Sequence, residues 1–166
     1  MNRTIQIAPV RKSVVVEATP DEAFDFFTAK IDRWWPKSHG IGTTPLRESV
    51  IEPFVGGRWY MRHEGGEEVT VGHVRDWQPG RRFVFGWEID GNWKPEARLQ
   101  FSSEVEVNFI AQPDGRTRVE VEHRHFEKME SGADKMRESV DNGWPGILGL
   151  FAQALTNKNH TGATPS

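Results

Sequence analysis

Ser103-Glu104-Val105-Glu106-Val107-Asn108-Phe109, then Pro113-Asp114-Gly115, then Thr117-Arg118-Val119-Glu120-Val121-Glu122-His123: apolar and polar side chains alternate on both sides of a turn. Successive side chains of a strand point to opposite faces, so Val105, Val107 and Phe109 share one face while Glu104, Glu106 and Asn108 share the other. Val119 and Val121 repeat the pattern against Glu120 and Glu122. These residues form a pair of antiparallel strands with one buried and one wet face. Upstream, turn signals at Gly56-Gly57, Gly65-Gly66, Pro79-Gly80 and Asp90-Gly91 separate further strand-like runs from Arg47 to Phe54, Arg58 to Glu64, Glu67 to Trp77 and Arg81 to Ile89. Adjacent hairpin turns predict an antiparallel meander.

Helical signals flank the meander. Arg11 to Ala18 is rich in β-branched residues and reads as a first strand; Thr19-Pro20-Asp21-Glu22 then supplies an N-cap, a proline at the first helical position and a capping-box glutamate. Ala23, Phe26, Phe27, Ile31 and Trp34 give this region an apolar face, broken by Pro36 and Gly40, and 36–45 reads as a loop. After Phe126, Ala133 to Val140 reads as a short helix. Asn142-Gly143-Trp144-Pro145 reads as the entry to another, with Trp144, Ile147, Leu148, Phe151 and Leu155 in one stripe. The expected organisation is an N-terminal extension over 1–10, one domain over 11–156, and a disordered tail over 157–166. The expected fold class is α+β: a curved antiparallel sheet wrapped around a long C-terminal helix, with two short helices after the first strand. A sheet that curls enough leaves a cavity between itself and that helix.

Composition narrows the chemistry. The chain has 166 residues with 21 basic and 24 acidic side chains, a net charge of −3, and no cysteine. Thiol catalysis, disulfides and thiolate metal sites are excluded. Interspersed charges of slightly acidic balance provide no field for phosphates, so nucleic acid is not an expected partner. No apolar run approaches the ~20 residues that cross a bilayer, which predicts no membrane insertion, and no signal-like segment opens the chain, which predicts a cytoplasmic protein. The aromatic content is unusual: seven Trp and ten Phe against one Tyr. Such rings either fill a core or line a hollow.

Phe83, Phe85, Trp87 and Ile89 form one broad stripe. Trp87 with Trp59 or Trp93 would wall a hollow, Trp35 and His39 from the loop would rim it, and Trp144 would add area from the helix. If Val119 and Val121 point inward, His123 and His125 follow on the same face, either as hydrogen-bonded core histidines or, for His123, as a polar anchor. The His-x-His pair with His39 or His63 lacks a thiolate or an acidic residue at ligand spacing, so no metal and no cofactor are expected. The candidate ligand-binding set is Trp35, His39, Trp59, Trp87, Trp93, His123 and Trp144.

Ile31-Asp32-Arg33-Trp34-Trp35-Pro36, Gly56-Gly57-Arg58-Trp59-Tyr60, Gly72 and Val74 ahead of Trp77 and Pro79, the Ser103 to Phe109 and Thr117 to His123 strands and Gly143-Trp144 together resemble the START-like (SRPBCC) superfamily. Within it they resemble the branch named for the activator of the ninety-kilodalton heat-shock protein ATPase, over about Arg11 to Leu155. The resemblance implies a helix-grip fold and an internal cavity for a hydrophobic or amphipathic small molecule. Chaperone activators of the branch carry a separate chaperone-binding domain, which is not expected here, so co-chaperone activity is not the leading expectation. The leading expectation is therefore a binding protein for a hydrophobic or aromatic small molecule. The alternatives are a cavity enzyme of cyclase or hydrolase type using His123, with His125 or Glu88 second, and an interaction protein that contacts a chaperone or a second copy through the Trp35 to Pro45 loop.

Overall fold

The computed structural model describes residues 7–163. Its elements are β1 (Val10–Val16), α1 (Pro20–Thr28), β2 (Leu46–Ile51), β3 (Arg58–His63), β4 (Glu68–Gln78), β5 (Arg82–Trp87), β6 (Ser103–Ala111), β7 (Thr117–Arg124) and α2 (Ala133–Ala163). The strands make one seven-stranded sheet in the order β1-β7-β6-β5-β4-β3-β2, every pair antiparallel. The α+β helix-grip expectation is met. The region after β1 holds one α-helix and two 3-10 turns, Ile31–Arg33 and Lys37–His39.

The β6–β7 pair carries the register that the alternation requires: Val105 faces His123, Val107 faces Val121 and Phe109 faces Val119. Those side chains are buried. On the outer face Arg124 binds Glu104 at 2.7 Å, Glu106 at 2.5 Å and Glu122 at 2.8 Å. Burial alone would raise these carboxyl pKa values, but the neighbouring guanidiniums hold them below the ordinary range.

The sheet turns a corner in β4. The first part of β4 pairs with β3 and the last part with β5, with register shifts at Trp59/Tyr60 and at Val74/Asp76. A Cβ on Gly72 would lie 1.5 Å from the Gly86 carbonyl oxygen, so two backbones meet where only glycine fits. Bulges of this kind add twist and curl the sheet.

At the other end of the chain Thr19 caps α1. Its hydroxyl accepts from Glu22 N at 3.2 Å while Glu22 Oε1 accepts from Thr19 N at 3.4 Å, the expected capping box.

Three boundaries differ from the sequence expectation. The two helices expected after residue 133 are one helix of 31 residues with Pro145 inside it. An interior proline costs about 3 kcal/mol, but the buried stripe runs continuously through Met136, Val140, Trp144, Ile147, Leu148, Phe151 and Leu155. Each such side chain gains about 1.5–3 kcal/mol on burial, which outweighs the proline. The tail expected from 157 is helical to Ala163, since each residue added to a formed helix gains a backbone hydrogen bond and no Gly or Pro intervenes before Gly162. Residues 164–166 lie outside the described residues. Of the extension over 1–10, Met1 to Gln6 also lie outside them, Val10 already opens β1, and Arg137 Nε donates to the Ala8 carbonyl at 2.6 Å. Among the described residues no helix is long and apolar enough to cross a membrane.

Candidate functional site

The concave face of the sheet is occupied differently at its two ends. Near α1 the rings pack against each other: Phe27 lies 4.8 Å from Trp34, 5.1 Å from Phe151 and 5.6 Å from Phe83, and Phe24 lies 5.2 Å from Phe109. Toward the first half of α2 and the corner of the sheet the rings part around a hollow of about 310 Å³. Trp35, Trp87, Trp93 and Trp144 stand on its walls, with aliphatic side chains such as Ile41, Val71 and Ile147 between them. Ser38, Ser139 and His39 are the polar side chains of the lining, and His39 is the titratable one.

Each indole has a local cause. Trp87 ends β5, and two residues on Ile89 points to the same side. Trp93 has φ 61°, the left-handed region, unusual for a bulky residue. Its turn is clasped by Asp90, whose Oδ1 accepts from Asn92 N at 2.8 Å and Lys94 N at 3.0 Å. Thus held, Trp93 meets Trp87 edge-on at 6.2 Å. It is 38% exposed and forms part of the rim. Trp35 Nε1 donates to the His39 carbonyl at 3.5 Å, and Ser38 Oγ is 3.0 Å from His39 Nδ1, so the 3-10 turn at 37–39 hangs His39 at the mouth.

His123 points inward as expected but does not line the hollow. It is fully buried, 2.9 Å from Ser103 Oγ through Nε2, while Trp144 Nε1 lies 3.3 Å from Nδ1. An indole N–H can only donate, so Nδ1 bears the lone pair and Nε2–H donates to Ser103. Burial pushes the imidazole pKa down to about 3. A neutral ring with both nitrogens engaged orients the Trp144 indole. It is not a proton donor for the cavity.

His125 corrects the period-2 expectation. β7 ends at Arg124, and His125 has φ 66°, which breaks the alternation before it reaches the inner face. Phe126 takes the inner place and stacks on His123 at 4.7 Å, while the half-exposed His125 lies 3.5 Å from Glu127. Trp59 sits behind the wall, 5.0 Å from Trp35 and 4.8 Å from Phe85. Glu88, a second-choice acid at sequence level, is 4% exposed on the opposite face from Trp87 and accepts from His73 N at 2.7 Å, closing the bulged corner rather than reaching the hollow. His63, His39, His123 and His125 do not converge; His63 is engaged by backbone groups of the 40–44 loop.

Part of the lining that the sequence reading missed lies on α2: Ser139, Val140, Gly143 and Ile147 join Trp144. Their spacing is one helical face, a signal hidden by taking Pro145 as a helix start.

Comparison with known proteins places this geometry in a lineage. The family model described as Activator of Hsp90 ATPase homolog 1-like protein matches residues 17–156. Among solved structures, the anthrahydroquino-gamma-pyrone synthase Txn09 is 37% identical, with 90% of this chain and 97% of that one covered at a TM-score of 0.64. CalC, a self-sacrificing resistance protein from Micromonospora echinospora, is 32% identical over 90% of this chain and 95% of its own, with a TM-score of 0.61. The Aha1 dimer from Colwellia psychrerythraea shares the fold at 15% identity and a TM-score of 0.61, covering 90% of this chain and 96% of that one. Comparison with the curated proteins gives no match. With the family model covering most of its length and the curled sheet gripping α2 as in START-like proteins, this chain belongs to the Activator of Hsp90 ATPase homolog 1-like protein family.

Proposed function

We propose that this protein binds a small planar aromatic molecule, of the polycyclic quinone kind, in the hollow between α2 and the sheet corner. One observation carries the proposal: four indoles bound a space of about 310 Å³ that holds a single titratable side chain, His39, at its mouth. Ligand pockets of this size class are mostly apolar with a few polar groups that fix orientation. Indole faces favour offset or edge contacts with other rings. The 37% relative is a synthase for a fused-ring product, which supports a ring system over a fatty chain. A cytoplasmic location belongs to the same reading.

Titration with anthraquinone, followed by tryptophan fluorescence, tests the proposal. Saturable quenching that weakens at least about tenfold in Trp87→Ala is expected, a loss of about 1.4 kcal/mol. Equal binding of a straight-chain fatty alcohol, or no quenching by any fused-ring compound, would sink it.

Catalysis in the same cavity is a second reading, favoured by the synthase relative. His39 is then the acid–base group, because His123 is sequestered. Turnover of a ring-closing precursor that survives His39→Ala would remove it.

A further inference from the structure

Three of the indoles on the hollow are buried: Trp35, Trp87 and Trp144. Two of them have a use for their N–H, since Trp144 donates to His123 Nδ1 and Trp35 to the His39 carbonyl. Trp87 Nε1 is buried and has no hydrogen-bond partner in the protein. An indole N–H can only donate, and a buried donor without an acceptor keeps its full desolvation penalty.

Such unpaired groups gather at this end of the sheet. Trp59 Nε1 is another, on a ring 6.2 Å from that of Trp87, and Ser49 Oγ is a third, on β2 opposite the lining residue Met61. At the filled end, by contrast, Trp34 Nε1 donates to the Phe26 carbonyl at 3.1 Å. Of the three unpaired groups, only Trp87 belongs to a side chain that lines the hollow.

The helix wall offers a complement. Ser139 and Gly143 lie one turn apart on the lining face of α2, and a Cβ on Gly143 would meet nothing within 4 Å. Among the described residues nothing engages the Ser139 hydroxyl, whereas Ser38 Oγ, from the other serine of the lining, is 3.0 Å from His39 Nδ1. A shallow recess with a free hydroxyl on the helix therefore accompanies an unused indole donor on the sheet.

We propose that Trp87 is the specificity-determining residue of the hollow: its N–H donates to a carbonyl oxygen on the ligand's ring system, and the Ser139 hydroxyl is a second donor to the same ligand. The inference rests on the ring binding proposed above and narrows it to fused-ring ketones and quinones, excluding aromatic hydrocarbons. A carbonyl oxygen has two lone pairs and no hydrogen, which suits donors; an N–H presented to Trp87 would set donor against donor. Nε1 is covered by its neighbours, so a ring must give way before an oxygen comes within about 2.9 Å. Trp93, edge-on to Trp87 at 6.2 Å, is the least buried of the four indoles and the one with room to swing outward.

Anthraquinone and anthracene share a fused-ring frame and differ in the carbonyl oxygens, so the ratio of their affinities separates the hydrogen bond from ring burial. Trp87→Phe keeps an apolar ring and loses the donor; the anthraquinone-to-anthracene ratio should fall about threefold to tenfold. Ser139→Ala should lower it about threefold. In wild type, the Trp87 indole N–H resonance, assigned through its contacts with Trp93, should move further downfield with anthraquinone than with anthracene.

An affinity ratio unchanged in Trp87→Phe overturns the proposal. So does a Trp87 N–H resonance that responds alike to both compounds, a measurement that needs no variant. A ratio that falls in Ser139→Ala alone moves recognition to α2 and overturns it as well. In each of these cases ring binding in the hollow still stands, whereas binding of neither compound removes both readings.

Discussion

At the α1 end of the sheet, Phe24, Phe27, Trp34, Phe83, Phe109 and Phe151 touch one another; at the corner end, Trp35, Trp87, Trp93 and Trp144 face a common space. Both groups include rings from the same apolar face of the sheet, Phe83 and Phe109 at one end and Trp87 at the other, and both include a ring from α2, Phe151 and Trp144. The difference lies in what enters from above. At one end α1 inserts Phe24, Phe26 and Phe27 between sheet and helix. At the other only the loop around residues 38–41 and the turn at Trp93 reach across, and they roof the space without filling it. Packed interiors tolerate few voids larger than a water molecule. A hollow of this size is therefore kept open by rigid neighbours: the hydrogen bond that Trp144 donates to His123, the Asp90 clasp for Trp93, and the His63 imidazole for the loop.

Truncation at the filled end should cost most. Phe27→Ala removes a ring in contact with Trp34, Phe83, Phe109 and Phe151 and should lower unfolding free energy by about 3–5 kcal/mol in urea denaturation. A loss under about 1 kcal/mol would show that this end is as loose as the other.

Acid should act on the buried histidine behind the hollow. The folded imidazole of His123 is pushed from the ordinary 6.5 down to about 3, so the unfolded chain binds the extra proton over that window. Its contribution to stability is complete above pH 6.5 and is lost as pH falls toward 3, at about 1.4 kcal/mol per pH unit. Denaturation midpoints measured across that window should show this slope, and His123→Asn should flatten it.

Gly143 sharpens the contrast with gain rather than loss. A Cβ there meets nothing within 4 Å, and the residue faces the hollow from mid-helix. Gly143→Leu should stabilise by about 1 kcal/mol through helix propensity, while anthraquinone binding disappears. Retained binding would mean that the ligand lies elsewhere.

The smallest stability effect is expected at the rim. Trp93, 38% exposed in a left-handed turn, should cost under about 1 kcal/mol when changed to Ala, yet its loss should speed ligand dissociation in stopped-flow measurements.

Much of this architecture was legible in residue spacing. The alternation at 103–123, the Thr19 to Glu22 capping box and the stripe from Trp144 to Leu155 each state a local rule with one solution. The expectation failed where local rules were overruled from a distance. Pro145 reads as a helix start, and only burial on both sides of it carries the helix through. His125 reads as inward, and only the left-handed backbone before Phe126 turns it out. The candidate set mixed two layers: Trp35, His39, Trp87, Trp93 and Trp144 line the hollow, while Trp59 and His123 back it. Period 2 identifies a face, but it does not measure depth.

What the chain settles by itself is which side chains face inward and where elements begin, because strand pleat, helical pitch and capping act between residues close in sequence. Whether inward rings meet or stand apart is decided by α1, α2 and two loops arriving from distant parts of the chain. Packing volume is shared among all of them, and so the hollow, its histidine-held mouth and the neutral His123 behind Trp144 exist only in the assembled fold.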